Sequence, residues 1–175
     1  MFFLIDQHFS LSYEEILENI NTSDSYTDCY IYPDLKSFFL FFIFALVNEK
    51  NIALMDSDLS EKEINDNNLT VNQFVKIDNP KKVYSVEELV NSIQNSNSEI
   101  TLFTSGTTGF TRKFTHPLKN LIRKINVSDE RKNDVWGFAF NPTHVAGVQV
   151  FFQAILNQNL LVNVFMESKD FIINA

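Results

Sequence analysis

The chain has 175 residues, with 14 lysines and arginines against 22 aspartates and glutamates, a net charge of −8 at neutral pH. That balance argues against a nucleic-acid backbone or an anionic membrane surface as the main partner. Its 45% apolar and 21% charged residues exclude a disordered chain or a fibre, and a single cysteine, Cys29, excludes a disulfide framework and fits a reducing, cytoplasmic compartment.

Met1–Ile5 is apolar but has no basic residue before it and meets Asp6 at once, so it does not read as a signal peptide. Residues 1–27 read as a helical flank, with a helix over about Leu11–Ile20, Ser10 or Ser12 as its cap, and Glu14 and Glu15 in its first turn. Asp28–Tyr32 is a short β-rich run stopped by Pro33, and Asp34–Asn48 predicts one apolar helix. Its greasiest stretch, Phe38–Val47, falls far short of the roughly 20 residues that a membrane span needs. Asn51–Met55 is a second strand, closing a right-handed parallel βαβ unit.

Residues 57–98 form a polar connector, with a short strand at Phe74–Ile77 and a helix at Val86–Ile93. Residues 99–175 hold a second βαβ unit: a strand at Val135–Phe140, a helix at Val145–Leu156 and a strand at Leu160–Phe165. The expectation is an α/β fold, one domain or lobe, with helices packed on a mostly parallel sheet that contains 28–32, 51–55, 135–140 and 160–165. Eighteen phenylalanines promise a large aromatic core.

The chemistry concentrates in Ile100–Lys113. A β-prone run opens into Thr104-Ser105-Gly106-Thr107-Thr108-Gly109, followed by Arg112 and Lys113. Two of the four glycines of the chain lie here. Glycine allows close backbone approach to a ligand, and successive N–H groups and hydroxyls can donate to phosphate oxygens. The two cations would add charge-assisted contacts. The glycine spacing is not that of a G-x-x-x-x-G-K-[ST] loop, and Lys113-Phe114-Thr115 reads as extended, giving strand, loop, strand, then a helix from Pro117 to about Ile125. With little apolar anchoring, Ser105–Arg112 is expected to be ordered only by ligand.

These six residues resemble the phosphate-binding signature T-S-G-[ST]-T-G-x-P-K of the adenylate-forming, or AMP-binding, enzymes. Asn141-Pro142-Thr143-His144-Val145-Ala146-Gly147 resembles that family's P-x-x-H-x-x-G segment, and Tyr30–Met55 resembles its early strand-helix-strand. Two departures stand out: Thr111 replaces the family proline, and the family lysine falls on Arg112, with Lys113 one residue later. The resemblance implies Rossmann-like layers and the N-terminal lobe of an acid-activating ligase of the acyl- or aryl-CoA synthetase type. It implies that Thr104, Ser105, Gly106, Thr107, Thr108, Gly109, Arg112 and Lys113 bind the phosphates of ATP and that His144 gates the nucleotide and acyl pockets. It further implies a carboxylic acid substrate, Mg²⁺ held by residues outside this chain, a thiol acceptor such as coenzyme A, and a partner in the rest of the same protein. The apolar end Phe171–Ala175 reads as a cut, so the alternative is a truncated or degenerate, non-catalytic fragment.

Other candidates read as structural. His144 could instead cap its helix or fill the core; His116 and His8 have no chemical context. The histidines and Cys29 give no metal spacing. Glu87, Glu88 and the acidic run at 56–66 read as solvated faces, and Cys29 as buried and inert.

Overall fold

The computed structural model describes residues 1–56, 60–67, 69–105, 111–165 and 171. In chain order these form β1 (Phe2–Ile5), β2 (Ser10–Ser12), α1 (Tyr13–Thr22), β3 (Ser25–Tyr26), β4 (Cys29–Tyr30), α2 (Leu35–Val47), β5 (Ile52–Leu54), α3 (Glu61–Asp66), β6 (Val75–Lys76) and α4 (Val86–Asn95). They continue with β7 (Glu99–Ser105), β8 (Thr111–Pro117), α5 (Leu118–Ile122), a 3₁₀ turn at Asp129–Arg131, β9 (Val135–Phe138), α6 (Val145–Leu156) and β10 (Leu160–Asn163). No helix among the described residues is long and apolar enough to cross a membrane.

Local chemistry sets these boundaries. Ser12 caps α1 in a reciprocal box: its hydroxyl accepts from Glu15 N, and Glu15 accepts from Ser12 N. Asp34 caps α2 by accepting from Ser37 N at 2.8 Å. Ser85 does the same for α4 by accepting from Glu88 N.

The strands form two four-stranded sheets and a small pair, β3–β6. The first sheet has the order β4-β5-β7-β8, with β4, β5 and β7 parallel and β8 antiparallel. The second has the order β2-β1-β10-β9, with β1, β10 and β9 parallel and β2 antiparallel. This corrects one expectation: 28–32 and 51–55 share one sheet, whereas 135–140 and 160–165 belong to another. The physical reason is β1. The apolar start of the chain, read only as the edge of a helical flank, pairs in parallel with β10 through Leu4 with Leu161 and Ile5 with Val162. The second βαβ unit thereby gains its own partner strand and has no need of the first.

One core joins both sheets. Phe39 of α2 meets Phe3 of β1 and Phe138 of β9 edge-on and stacks on Phe151 of α6 at 5.4 Å between ring centres. The same cluster takes in Ile52, Leu54, Ile100 and Leu102 of the first sheet. A helix covered from both sides must be apolar nearly all round, which explains why α2 shows no polar stripe. A smaller cluster of Cys29, Ala53, Met55 and Phe103 lies on the other face of the first sheet. The phenylalanine excess is therefore mostly core.

Candidate functional site

Parallel α/β sheets present ligands at the carboxyl ends of their strands. Three features lie past such strand ends here, two in the first sheet and one in the second. β7 ends at Ser105, and the loop leaves from there. Asp56 lies two residues beyond the end of β5, which is the neighbour of β7. His144 stands between β9 and α6, at the N-cap of the helix.

The residues expected to bind phosphate are placed as follows. Thr104 and Ser105 are the last residues of β7; Gly106, Thr107, Thr108, Gly109 and Phe110 lie outside the described residues, and with them the expectation of ligand-dependent order. The strand that returns from the loop is paired in register, Ser105 with Thr111, Thr104 with Arg112 and Phe103 with Lys113. Alternation across a strand puts neighbouring side chains on opposite faces. Lys113 thus shares the face of Phe103 and the Cys29 cluster, while Arg112 shares that of Phe114, which pairs with Leu102 of the main core. Both cations are exposed. The charge on Lys113 reaches the Cys29 thiol, where it opposes the dominant effect of burial and that of Asp28; the net result is a thiol pushed up to about 11. Cys29 is buried and free, as the sequence suggests.

His144 fits neither structural reading. It occupies the N-cap position, but its side chain makes no cap hydrogen bond, and the imidazole is 58% exposed rather than core. Its Nε2 lies 3.8 Å from Asp56 Oδ2. Asp56 also accepts a hydrogen bond from Asn141 Nδ2. Asn141 Oδ1 accepts in turn from the backbone N of Thr143 at 3.0 Å and from its hydroxyl at 2.8 Å. The carbonyl of Asn141 accepts from His144 N at 3.1 Å. Gly147 lies directly against that carbonyl: a Cβ there would sit 2.2 Å from the Asn141 oxygen. In this chain one residue, Thr143, separates Pro142 from His144, against two in the family pattern, while Gly147 keeps its place three residues after His144 and is demanded there by close packing.

Sequence reasoning missed Asp56. The sequence pattern puts it on a solvated acidic face, whereas its carboxylate is only 26% exposed and is held by Asn141. An acid just beyond a parallel strand, at the ligand-binding edge, was the available signal. His116 pairs with Ile100 at the end of the hairpin far from the loop, and His8 is exposed, past the carboxyl end of β1.

The sequence matches no protein-family model and no curated protein. Solved structures do match. The chain superposes on the N-terminal domain of FACL13 from Mycobacterium tuberculosis with a TM-score of 0.67 at 13% identity, over 99% of this chain and 56% of that one. The o-succinylbenzoate CoA synthetase of Bacillus subtilis, in complex with its acyl-adenylate intermediate, gives 0.63 at 12%, over 99% and 55%. The NpsA N-terminal subdomain of Klebsiella oxytoca gives 0.60 at 16%, over 99% and 51%. The chain has the fold of part of the N-terminal lobe of adenylate-forming enzymes. It spans about half the length of these neighbours. Within that fold, the loop after β7 and the segment before α6 carry the two motif-like stretches.

Proposed function

We propose that the chain is the phosphate-binding lobe of an ATP-dependent acid-activating ligase. In such a reaction a carboxylate oxygen attacks the α-phosphorus of ATP, pyrophosphate leaves, and the acyl-adenylate passes its acyl group to a thiol, such as that of coenzyme A, with release of AMP. What supports this reading is that β7 ends on Thr104-Ser105, which Gly106-Thr107-Thr108-Gly109 follow in the sequence, while Asp56, just past the neighbouring β5, lies against His144, on a fold shared with adenylate-forming enzymes. One neighbour was solved with ATP and a magnesium ion, and another form of it with a product analogue of the CoA thioester.

The donor set suits an anion. Arg112 and Lys113 are exposed cations at the loop end of the β7–β8 hairpin in a chain of net charge −8. The loop would hold the β- and γ-phosphates and the departing pyrophosphate, because phosphoryl and adenylyl transfer rest on positioning and charge neutralisation. Arg112, on the face of the first sheet toward the main core, is the better candidate for the phosphate contact, and Lys113 would act from the opposite face. Mg²⁺ would meet this lobe through the phosphates; among the described residues no three His, Cys, Asp or Glu side chains converge on a metal site. The acid, the thiol and the remaining ligands would be met by a further part of the protein.

The test is nucleotide binding by the chain, with acid-dependent pyrophosphate exchange alongside. Arg112→Ala and Lys113→Ala should each weaken binding of Mg·ATP, Arg112→Ala more. A charge-assisted contact is worth roughly 1.5–3 kcal/mol, or about 10- to 150-fold. The chain alone should show no exchange. Unchanged binding in the double variant would remove the phosphate-loop reading, and robust exchange by the chain alone would remove the lobe reading.

A further inference from the structure

The contacts around Asn141 form a chain of hydrogen bonds that crosses from one sheet to the other. It starts at Asp56, past the end of β5, and β5 lies beside β7, whose end launches the phosphate loop. It passes through the Asn141 amide to Thr143 and through the Asn141 carbonyl to His144 N. From there the His144 carbonyl accepts from Val148 N at 2.9 Å, the first full turn of α6. Gly147 fixes the approach, since no side chain fits between it and the Asn141 carbonyl. Both polar atoms of the Asn141 side chain are thus committed, and all of their partners lie on the path from the first sheet to His144.

We propose that Asp56 and Asn141 are positioning residues: a strut that fixes His144 relative to the strand beside the phosphate loop. The inference rests on the proposed function for what His144 faces, but not for the strut itself. Two observations argue that the strut does more than close a loop. Asp56 presents the same oxygen, Oδ2, to Asn141 and toward His144 Nε2. The imidazole itself is largely exposed and makes no cap bond, so what orients it is the backbone that the strut holds. Moving Asn141 would move the N-cap, the first turn of α6 and His144 together.

The donor and acceptor roles can be exchanged. Asn141→Asp alone sets two carboxylates against each other and should break the strut. Asp56→Asn in the same chain restores a donor opposite an acceptor, and the carboxylate introduced at position 141 can still accept from Thr143. The experiment is amide hydrogen exchange on the whole chain, read at Thr143 and His144, together with the ¹H–¹⁵N imidazole signals of His144 during titration with Mg·ATP. In N141D the two amides should exchange about tenfold faster, the factor that one ordinary hydrogen bond is worth. In D56N/N141D protection should return to within about threefold of the parent, on the same scale. The response of the His144 ring to Mg·ATP should be lost in N141D and recovered in the double variant. Should N141D fail to fold, Asp56→Ala removes the acceptor without adding charge and should give the same acceleration. Parent-like exchange in the folded variant, or failure of the double variant to restore it, overturns the strut. Exchange that behaves as stated, in a chain whose His144 ring never responds to Mg·ATP, supports the strut and overturns the nucleotide reading instead.

Discussion

Gly147 and Gly137 differ in what surrounds them. A Cβ on Gly147 would enter the Asn141 backbone, which cannot step aside without moving Pro142. A Cβ on Gly137 would meet only Val164 Cγ2, at an ordinary 3.8 Å. Gly147→Ala should therefore cost about 1–3 kcal/mol, the usual penalty for forcing atoms into a packed site, while Gly137→Ala stays within about 0.5 kcal/mol of the parent; urea unfolding of the two variants checks both. Cys29 makes a second contrast. At 2% exposure, with its thiol pushed up to about 11 by burial first and Asp28 second, it should resist a thiol reagent at pH 8 in the folded chain and react fully once unfolded. Fast labelling of the native chain would show that the strands around it open. At this scale the sequence showed residue types but not partners. Asn141 stood within a recognisable segment, while Asp56 lay at the head of an acidic run, and only the end of β5 and the contact from Asn141 reveal that its carboxylate is held.

The two long helices of the βαβ units end in the same way, and nothing in the sequence announces it. After α2, Glu49 N donates to Leu46 O and Lys50 N to Ala45 O; after α6, Gln158 N donates to Ile155 O and Asn159 N to Ala154 O. Each is a Schellman closure, with Glu49 at φ 53° and Gln158 at φ 59° in the position that usually belongs to glycine. A left-handed residue with a side chain costs about 1–2 kcal/mol, and glycine gives back about 0.5–1 of that in entropy. Glu49→Gly and Gln158→Gly should each stabilise by about 0.5–1 kcal/mol, raising Tm by about 2–4 °C per kcal/mol. At the start of α1 the effect depends on pH. The Lys36 ammonium beside Glu15, then the Ser12 backbone N–H, hold its carboxyl down at about 2. The folded value lies below the unfolded one of about 4.3, so this contribution is complete above about pH 5 and fades as pH falls toward 2. Lys36 and Glu15 are 33% and 43% exposed, which keeps the effect modest. Glu15→Gln should shrink the fall in Tm between pH 6 and pH 3; an equal fall would show the pair to be silent. Most helices and strands were legible because their apolar runs are long and their caps are ordinary. The exceptions are β1, β2 and β3, short strands inside the stretch read as a helical flank, α3, a six-residue helix inside the stretch read as polar connector, and the non-glycine closures.

The separation into two sheets was not legible, because strand partners depend on tertiary pairing that apolar runs do not encode. The sequence shows two βαβ units; only the pairing of β1 with β10 shows that each anchors its own sheet. Helix α2 links the two: its Phe39 and Phe42 reach across to Phe3, Phe138, Phe151 and Phe152 while its unit belongs to the first sheet. Two sheets that share one aromatic core should unfold together. The single tryptophan offers a local probe: Trp136 lies in β9 of the second sheet, and its Nε1 donates to Asn159 Oδ1 at 3.2 Å. Far-ultraviolet circular dichroism reports on the helices of both units. The fluorescence and dichroism transitions should therefore coincide in urea. Phe42→Ala, at a fully buried position in the other unit, should cost about 3–5 kcal/mol and shift both transitions by the same amount. A fluorescence midpoint that stays put while dichroism falls would mean that the second sheet survives without α2, and that the shared core does not couple the two halves on which the site is built.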